Sequence, residues 1–310
     1  MKFGIIGNDQ MVLSCIQLLQ QRPDAEISFV IYDLRRLNPM NSIDTFCKTH
    51  NIEAKGITRL NSPEILSFIQ SKAPDYILSI NNFWVIRENV LAIPGKGSIN
   101  FHNSVPSRYH GLNIPSWVII NGEKTHGAMW HFVEPGIDTG DVIIYDEFEL
   151  TKNETAASLM VKCIKKGIEM FATVLDKLFN DNITRSPQVP NASYFGKHDY
   201  PANKGYIDFN DSMVNIERLV RGLNYHPFAN TYLYAKISNN EKELIVNAVT
   251  AIPVEYKTTA GKIVYTKDGS FAVECKDGLI EIEDAMDAEY NGYEEGEIGE
   301  FLGIKEGAFL

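Results

Sequence analysis

The chain reads as an α/β fold with a mostly parallel sheet covered by helices on both faces, followed by a smaller antiparallel β part. Three observations predict it. In the first half, short fully apolar runs alternate with helical patterns, the mark of βαβ units. A single long amphipathic stretch then closes that half. Beyond it, short strands are separated by Asp-Gly pairs, which are hairpin turns.

Taken in order, Phe3–Ile6 predicts a first buried strand, Gly7 a turn, and 10–21 a helix. Ile27–Tyr32 is the second apolar run, and 42–49 has helical spacing. Ser62 followed by Pro63 sets an N-cap and a first helical residue for a helix over 63–72. Tyr76–Ile80 and Ser98–Phe101 are further short strands. Pro115–Asn121 is a short helix ending at the turn signal Asn121-Gly122, and Gly127–Phe132 and Val142–Phe148 are strands. The amphipathic helix spans 154–179, with Leu159, Cys163, Met170, Val174 and Leu178 near one face. Residues 181–204, rich in Pro, Asn and Ser, read as a surface linker, and Val214–Leu223 as a helix. Strands then follow at Leu244–Val249, Gly261–Tyr265, Phe271–Glu274 and Leu279–Ile282, with turns at Lys267-Asp268-Gly269 and Lys276-Asp277-Gly278 predicting a small β-barrel or meander. The domain division this implies is 1–182, a linker over 183–204, and 205–310.

A hydrophobic fraction of 44% and a charged fraction of 22% over 310 residues are those of a globular protein with room for a sizeable core. Four scattered cysteines without CxxC spacing argue against a zinc ribbon and a disulfide framework. The start, MKFGIIGND, lacks a signal-peptide profile, and no run of 18 apolar residues occurs; no membrane span and a cytoplasmic location are expected. Net charge is −11, and residues 201–310 hold ten lysines and arginines against nineteen aspartates and glutamates. An acid excess of that kind makes a poor surface for nucleic-acid phosphates.

The stretch from Gly97 to Asp141 concentrates polar groups between apolar runs. Strand alternation turns Asn100 and His102 to one side and Phe101 to the other. Two such groups at the C-terminal end of a parallel strand lie where open α/β sheets bind ligands. The run Pro135-Gly136-Ile137-Asp138-Thr139-Gly140-Asp141 is either an ordinary Asx-type turn or two carboxylates placed for Mg²⁺. No phosphate loop or HExxH-like spacing accompanies it, so no metal is expected. Gly4-Ile5-Ile6-Gly7 lacks the rest of a GxGxxG fingerprint, which disfavours NAD. His131 is kept as a supporting or substrate contact.

Asn100-Phe101-His102, Ser104, Arg108-Tyr109-His110-Gly111, Asn121-Gly122-Glu123 and Gly136-Ile137-Asp138-Thr139-Gly140-Asp141 together resemble the folate-dependent formyltransferase family. The similarity continues through Ser186-Pro187-Gln188, Tyr206-Ile207-Asp208-Phe209, 216–221 and 261–282, so it covers nearly the whole chain. The resemblance implies a Rossmann-like catalytic domain and a small C-terminal OB-like barrel. It implies Asn100, His102 and Asp138 as the catalytic trio and 10-formyltetrahydrofolate as formyl donor, with no metal. Asn81, Asn82, Phe83, Trp84 and Val85, with Ile137 and Asp138, would line the folate pocket. Ser104, Arg108, Tyr109 and Asn113 would contact the acceptor. One departure is Val105-Pro106-Ser107-Arg108, where the proline stands one position from its usual place.

The segments 111–117 and 126–131 look most like formylating domains of nonribosomal peptide and polyketide assembly, which implies an amine on a carrier protein or another natural-product substrate. A nucleotide-linked amino sugar is the second acceptor and methionyl-tRNA the third, the latter disfavoured because the stretch 33–42 lacks a long basic insertion. A formate-releasing hydrolase and a non-catalytic folate-binding or carrier-docking module are the competing classes. In the transfer reading, Asn100 and His102 donate hydrogen bonds to the developing oxyanion. Asp138 favours the imidazolium of His102, or takes a proton from the attacking ammonium.

Overall fold

A computed structural model describes residues 1–36, 43–239, 242–266, 269–294 and 296–310. In chain order the elements are β1 (Lys2–Gly7), α1 (Asp9–Gln20), β2 (Glu26–Asp33), α2 (Ile43–Thr49), β3 (Ala54–Ile57) and α3 (Pro63–Lys72). There follow β4 (Tyr76–Ile80), α4 (Glu88–Leu91), β5 (Gly97–His102), β6 (Tyr109–Gly111), α5 (Ile114–Ile120), β7 (Thr125–Phe132) and β8 (Val142–Glu149). The remainder is α6 (Ala156–Phe179), β9 (Ser193–Phe195), α7 (Met213–Leu223), β10 (Lys236–Ser238), β11 (Glu243–Pro253), β12 (Ile263–Tyr265), β13 (Phe271–Cys275), β14 (Gly278–Met286), β15 (Gly292–Tyr293) and α8 (Ile298–Leu302). Ser42 and the Lys267-Asp268 pair, expected at a helix start and in a turn, lie outside the described residues.

Two compact units result. The first gathers Met1–Gly111, His126–Phe148 and Lys162–Phe195; the second gathers Leu112–Thr125, Glu149–Val161 and Gly196–Leu310.

The first unit is built on a seven-stranded sheet in the order β3-β2-β1-β4-β5-β7-β8. Pairing is parallel from β3 to β5, and β7 runs antiparallel to β5. The mostly parallel sheet expected from the apolar runs is present. The chain winds outward from β1 to β3, then returns to β4 on the other side of β1, so the strand order reverses there. Ligand crevices of open α/β sheets form at the carboxyl ends of strands at such a reversal. The α3 start is as expected: Ser62 Oγ accepts the Ile65 N–H, with Pro63 at the first helical position.

One face is filled by Ile6, Phe29, Ile31, Ile65, Ile69 and Ile77. Elsewhere Phe101 and Phe171 pack on Trp130, whose indole N–H donates to the Gly167 carbonyl at 2.8 Å. A side chain at Gly167 would sit 2.2 Å from the Phe101 ring, so glycine is what lets α6 approach.

His126 is fully buried in β7; its Nε2–H donates to the Asn103 carbonyl at 2.9 Å, while Nδ1 has no partner among the described residues. Burial pushes its pKa from the ordinary 6.5 down to about 3. The folded chain therefore resists a proton that the unfolded chain accepts. The associated stability is present above pH 6.5 and is lost as pH falls toward about 3. Urea unfolding midpoints measured from pH 7 to 4 should fall less steeply for His126→Gln than for the wild type.

The second unit carries a six-stranded antiparallel sheet, β10-β11-β14-β13-β12 with β15 on β14. Register shifts along β11 between Val246 and Val249 bend the strand, and the sheet curls into a half-barrel. Ile216, Val220 and Leu223 of α7 share a buried core with Leu244, Val246 and Ile280. No helix among the described residues is long and apolar enough to cross a membrane.

Candidate active site

Asn100 and His102 lie on β5, two residues apart and on the same side, as strand alternation requires. The antiparallel register sets His131 of β7 directly opposite Asn100. Asp138 stands in the turn between β7 and β8 with φ 56°, a left-handed conformation that aspartate tolerates better than most residues. All four converge. Asn100 Nδ2 donates to His131 Nε2 at 3.0 Å and, loosely, to Asp138 Oδ1 at 3.4 Å. His102 Nδ1 lies 3.5 Å from Asp138 Oδ2.

Hydrogen-bond logic fixes the imidazole tautomers. His102 Nε2 lies 2.9 Å from the Tyr109 carbonyl, which can only accept, so Nε2 carries the hydrogen. In the neutral ring Nδ1 is then bare and faces a carboxylate. His131 Nδ1 likewise donates to the Phe132 carbonyl at 2.7 Å, which leaves Nε2 free to accept from Asn100. Asp138 Oδ2 also accepts the Gly111 N–H at 2.9 Å.

The electrostatics follow from burial. For His102, burial lowers the pKa below the ordinary 6.5, and this outweighs the pull of the Asp138 carboxylate. For Asp138, burial alone would raise the pKa; the His102 and His131 rings when charged, with the Gly111 N–H, outweigh it and hold the carboxyl well below the usual range. The sequence reading expected Asp138 to favour the imidazolium. Asp138 does favour the imidazolium, but desolvation of the buried ring outweighs that pull and leaves the His102 pKa below its ordinary value. The single N–H of the neutral ring is committed to Tyr109.

Ser104 is fully buried; its hydroxyl donates to the Val105 carbonyl and accepts the Tyr109 N–H, closing the 104–109 loop. The Tyr109 side chain is buried against Phe195 while its carbonyl holds His102. Arg108 bonds Glu147 at 3.1 Å. These three thus shape the loop beside the cluster. Asn113, at φ 56°, is the N-cap of α5 and belongs to the second compact unit.

The segment after β4 leaves the sheet beside Asn100, since Ser79 pairs with Asn100 across β4 and β5. Asn82 donates to Ser79 Oγ at 3.2 Å and closes a small loop on Trp84. Asn81, at φ 48°, donates to Asp9 Oδ2 at 2.7 Å. Trp84 packs partly into the Phe29–Ile65 core, whereas Phe83 and Val85 keep 41% and 60% of their surface exposed. Ile137, next to Asp138, is 39% exposed. The Arg36 guanidinium lies over the Phe83 ring at 3.5 Å, while Val85 and Ile137 leave apolar surface at the end of β4 and on the Asp138 turn.

Two contributors were missed or underweighted in the sequence reading. His131 drew only a supporting role, since its place opposite Asn100 depends on strand register. Gln188, fifty residues from Asp138, donates to the carbonyls of Asp138 and Gly140. Among the described residues no group of three His, Cys, Asp or Glu is arranged to hold a metal ion.

Comparison with known proteins bears on what this arrangement serves. The sequence profile described as formyl transferase matches residues 10–175, and that of the formyl transferase C-terminal domain matches 201–292. The methionyl-tRNA formyltransferase of Ruminiclostridium cellulolyticum is 30% identical over 244 residues, 78% of this chain and 76% of that protein. Two crystal structures share the fold. WlaRD, a sugar 3N-formyl transferase crystallised with dTDP and 5-N-formyl-THF, gives a TM-score of 0.68 at 19% identity over 93% of this chain and 98% of WlaRD. HypX from Aquifex aeolicus gives 0.65 at 16% identity over 99% of this chain, which spans 48% of HypX. With the profile covering more than half of the chain and the curated relative matching most of it, the chain belongs to the formyl transferase family and is a formyl-transferring enzyme.

Proposed function

We propose that the enzyme moves the formyl group of 10-formyltetrahydrofolate to the primary amine of a small acceptor, with a nucleotide-linked amino sugar as the favoured class. The observation that carries the transfer is the bare His102 Nδ1 facing an ionised Asp138 at 3.5 Å, with the Asn100 amide alongside. Attack on a formyl carbon needs a proton taken from the amine, negative charge stabilised on the formyl oxygen, and a proton returned to the departing nitrogen. His102 Nδ1 is a proton acceptor, and a proton placed there turns two facing acceptors into a hydrogen-bonded ion pair. From that position the same proton can pass to the leaving nitrogen. The loosely held N–H of Asn100 can turn toward the formyl oxygen, and His131 keeps the amide oriented. When bound, the folate supplies the activated formyl carbon. Val85, beside the Phe83 ring and its stacked Arg36 guanidinium, and Ile137 offer apolar surface for its ring, and the 5-N-formyl-THF held by WlaRD supports this choice of donor.

The acceptor reading shifts from the one drawn from sequence. A carrier-borne amine finds no support in the two relatives above whose names give an acceptor, a formyltransferase of methionyl-tRNA and one of a sugar. A net charge of −11 weighs against a polyanionic tRNA. The dTDP bound in WlaRD supports a nucleotide sugar. The test presents 10-formyltetrahydrofolate with nucleotide amino sugars, an aminoacyl-phosphopantetheine mimic and methionyl-tRNA, and reads mass gain of one formyl group. Gain on a nucleotide amino sugar is expected. Gain only on the tRNA or the carrier arm overturns the acceptor, and formate release without any acceptor product overturns the transfer.

Gly111 gives a further expected outcome. It sits at φ 99°, and a Cβ there would lie 2.1 Å from the Phe195 carbonyl. Gly111→Ala must move the N–H that holds Asp138, and the rate should fall about 10²-fold, the usual cost of a 1 Å misplacement. Wild-type turnover in that variant would remove the Gly111–Asp138 bond from the mechanism.

A further inference from the structure

Gln188 places every hydrogen-bonding position of its amide beside the reactive cluster. Nε2 donates to the Asp138 carbonyl at 2.7 Å and to the Gly140 carbonyl at 2.9 Å. Oε1 accepts the Ser107 N–H at 2.9 Å and lies 3.4 Å from His110 Nε2. The next residue continues the seam, with Val189 N–H donating to Ser107 Oγ at 2.8 Å.

The two loops so joined hold the two halves of the proton-bearing pair. The 138–140 turn carries Asp138. The 104–111 loop supplies the Tyr109 carbonyl to His102 Nε2 and the Gly111 N–H to Asp138 Oδ2. Neither loop keeps its shape by backbone preference alone, since Ser107 and Asp138 both sit in the left-handed region at φ 62° and 56°. We infer that Gln188 is a positioning residue that touches no reacting atom and fixes the gap between His102 Nδ1 and Asp138 Oδ2 by clamping the loops on either side. This rests on the formyl-transfer reading of the cluster and adds a residue from a segment that reads as a linker.

The geometry distinguishes the clamp from plain packing. Glutamate has nearly the shape of glutamine and keeps the acceptor for Ser107, but it offers carboxylate oxygen to two carbonyls where two donors stood. The turn must then retreat and admit water. The titratable groups acting on His102 are Asp138, His131, His110 and, from β7, His126. With burial relieved and a negative charge added, His102 should take up a proton at higher pH than in the wild type.

The test compares the wild type with Gln188→Glu and Gln188→Ala. Single-turnover transfer at saturating donor and acceptor should drop about 10- to 100-fold. In parallel, NMR titration of the His102 ring signal (assigned with a His102→Gln variant) should move upward in Gln188→Glu. A folded Gln188→Glu with wild-type turnover and an unmoved His102 titration overturns the inference. If the wild type itself formylates no amine, the formyl-transfer reading fails, while the titration alone still decides whether Gln188 governs the pair. Should Gln188→Ala unfold, Gln188→Glu carries the test.

Discussion

Asp138→Asn should lower single-turnover formyl transfer by about 10²–10⁴-fold, the range associated with loss of a positioned acid–base group. Asparagine matches the shape, tolerates φ 56°, and can still accept the Gly111 N–H, so the turn should survive. What disappears is the negative charge facing His102 Nδ1 across 3.5 Å. Without it a proton arriving at Nδ1 creates a buried cation with no counter-charge, a state that costs several kcal/mol. With its oxygen held by the Gly111 N–H, the amide nitrogen falls at the Oδ1 place beside Asn100 and His131, so His102 Nδ1 faces only a neutral carbonyl. A rate within about threefold of wild type, in a variant with unchanged thermal midpoint, would remove Asp138 from proton transfer.

The second large effect is expected in the pH profile. If neutral His102 is the acceptor, kcat/KM is full above its pKa and falls as pH drops through it. Burial sets that pKa below the ordinary 6.5, so the acid limb should lie below 6.5 as well. His102→Gln should abolish the limb and cost about 10²–10⁴-fold in rate. Because the groups act as a unit, the His102→Gln/Asp138→Asn double variant should be little worse than the worse single one. An acid limb retained in His102→Gln assigns the titration to another group. Full additivity of the two losses would mean that the residues act separately.

Much of this was legible in the sequence. The buried strands announce themselves as short apolar runs because both faces of the sheet are covered. The cohabitation of Asn100 and His102 follows from the two-residue period of a strand. The strands that escaped are the short ones: Ala54–Ile57, Tyr109–Gly111, Ser193–Phe195, Lys236–Ser238 and Gly292–Tyr293 hold two to four residues each, too few for any period to show. β11 runs to Pro253 rather than ending near Val249, since its irregular register breaks the alternation that marks a strand. At the site, what escaped was everything set by pairing or enclosure. His131 meets Asn100 only through the β5–β7 register, Gln188 arrives from a segment that looks like surface linker, and the protonation of His102 is decided by how completely it is enclosed.

The antiparallel pairing of β5 with β7 carries a consequence for how activity is acquired. A slip of one residue would bring Trp130 where His131 belongs and turn the imidazole to the opposite side of the sheet. In the proposed mechanism catalytic competence is therefore a report on strand alignment: during refolding, turnover should follow the zipping of two segments thirty-one positions apart, however early the helices collapse.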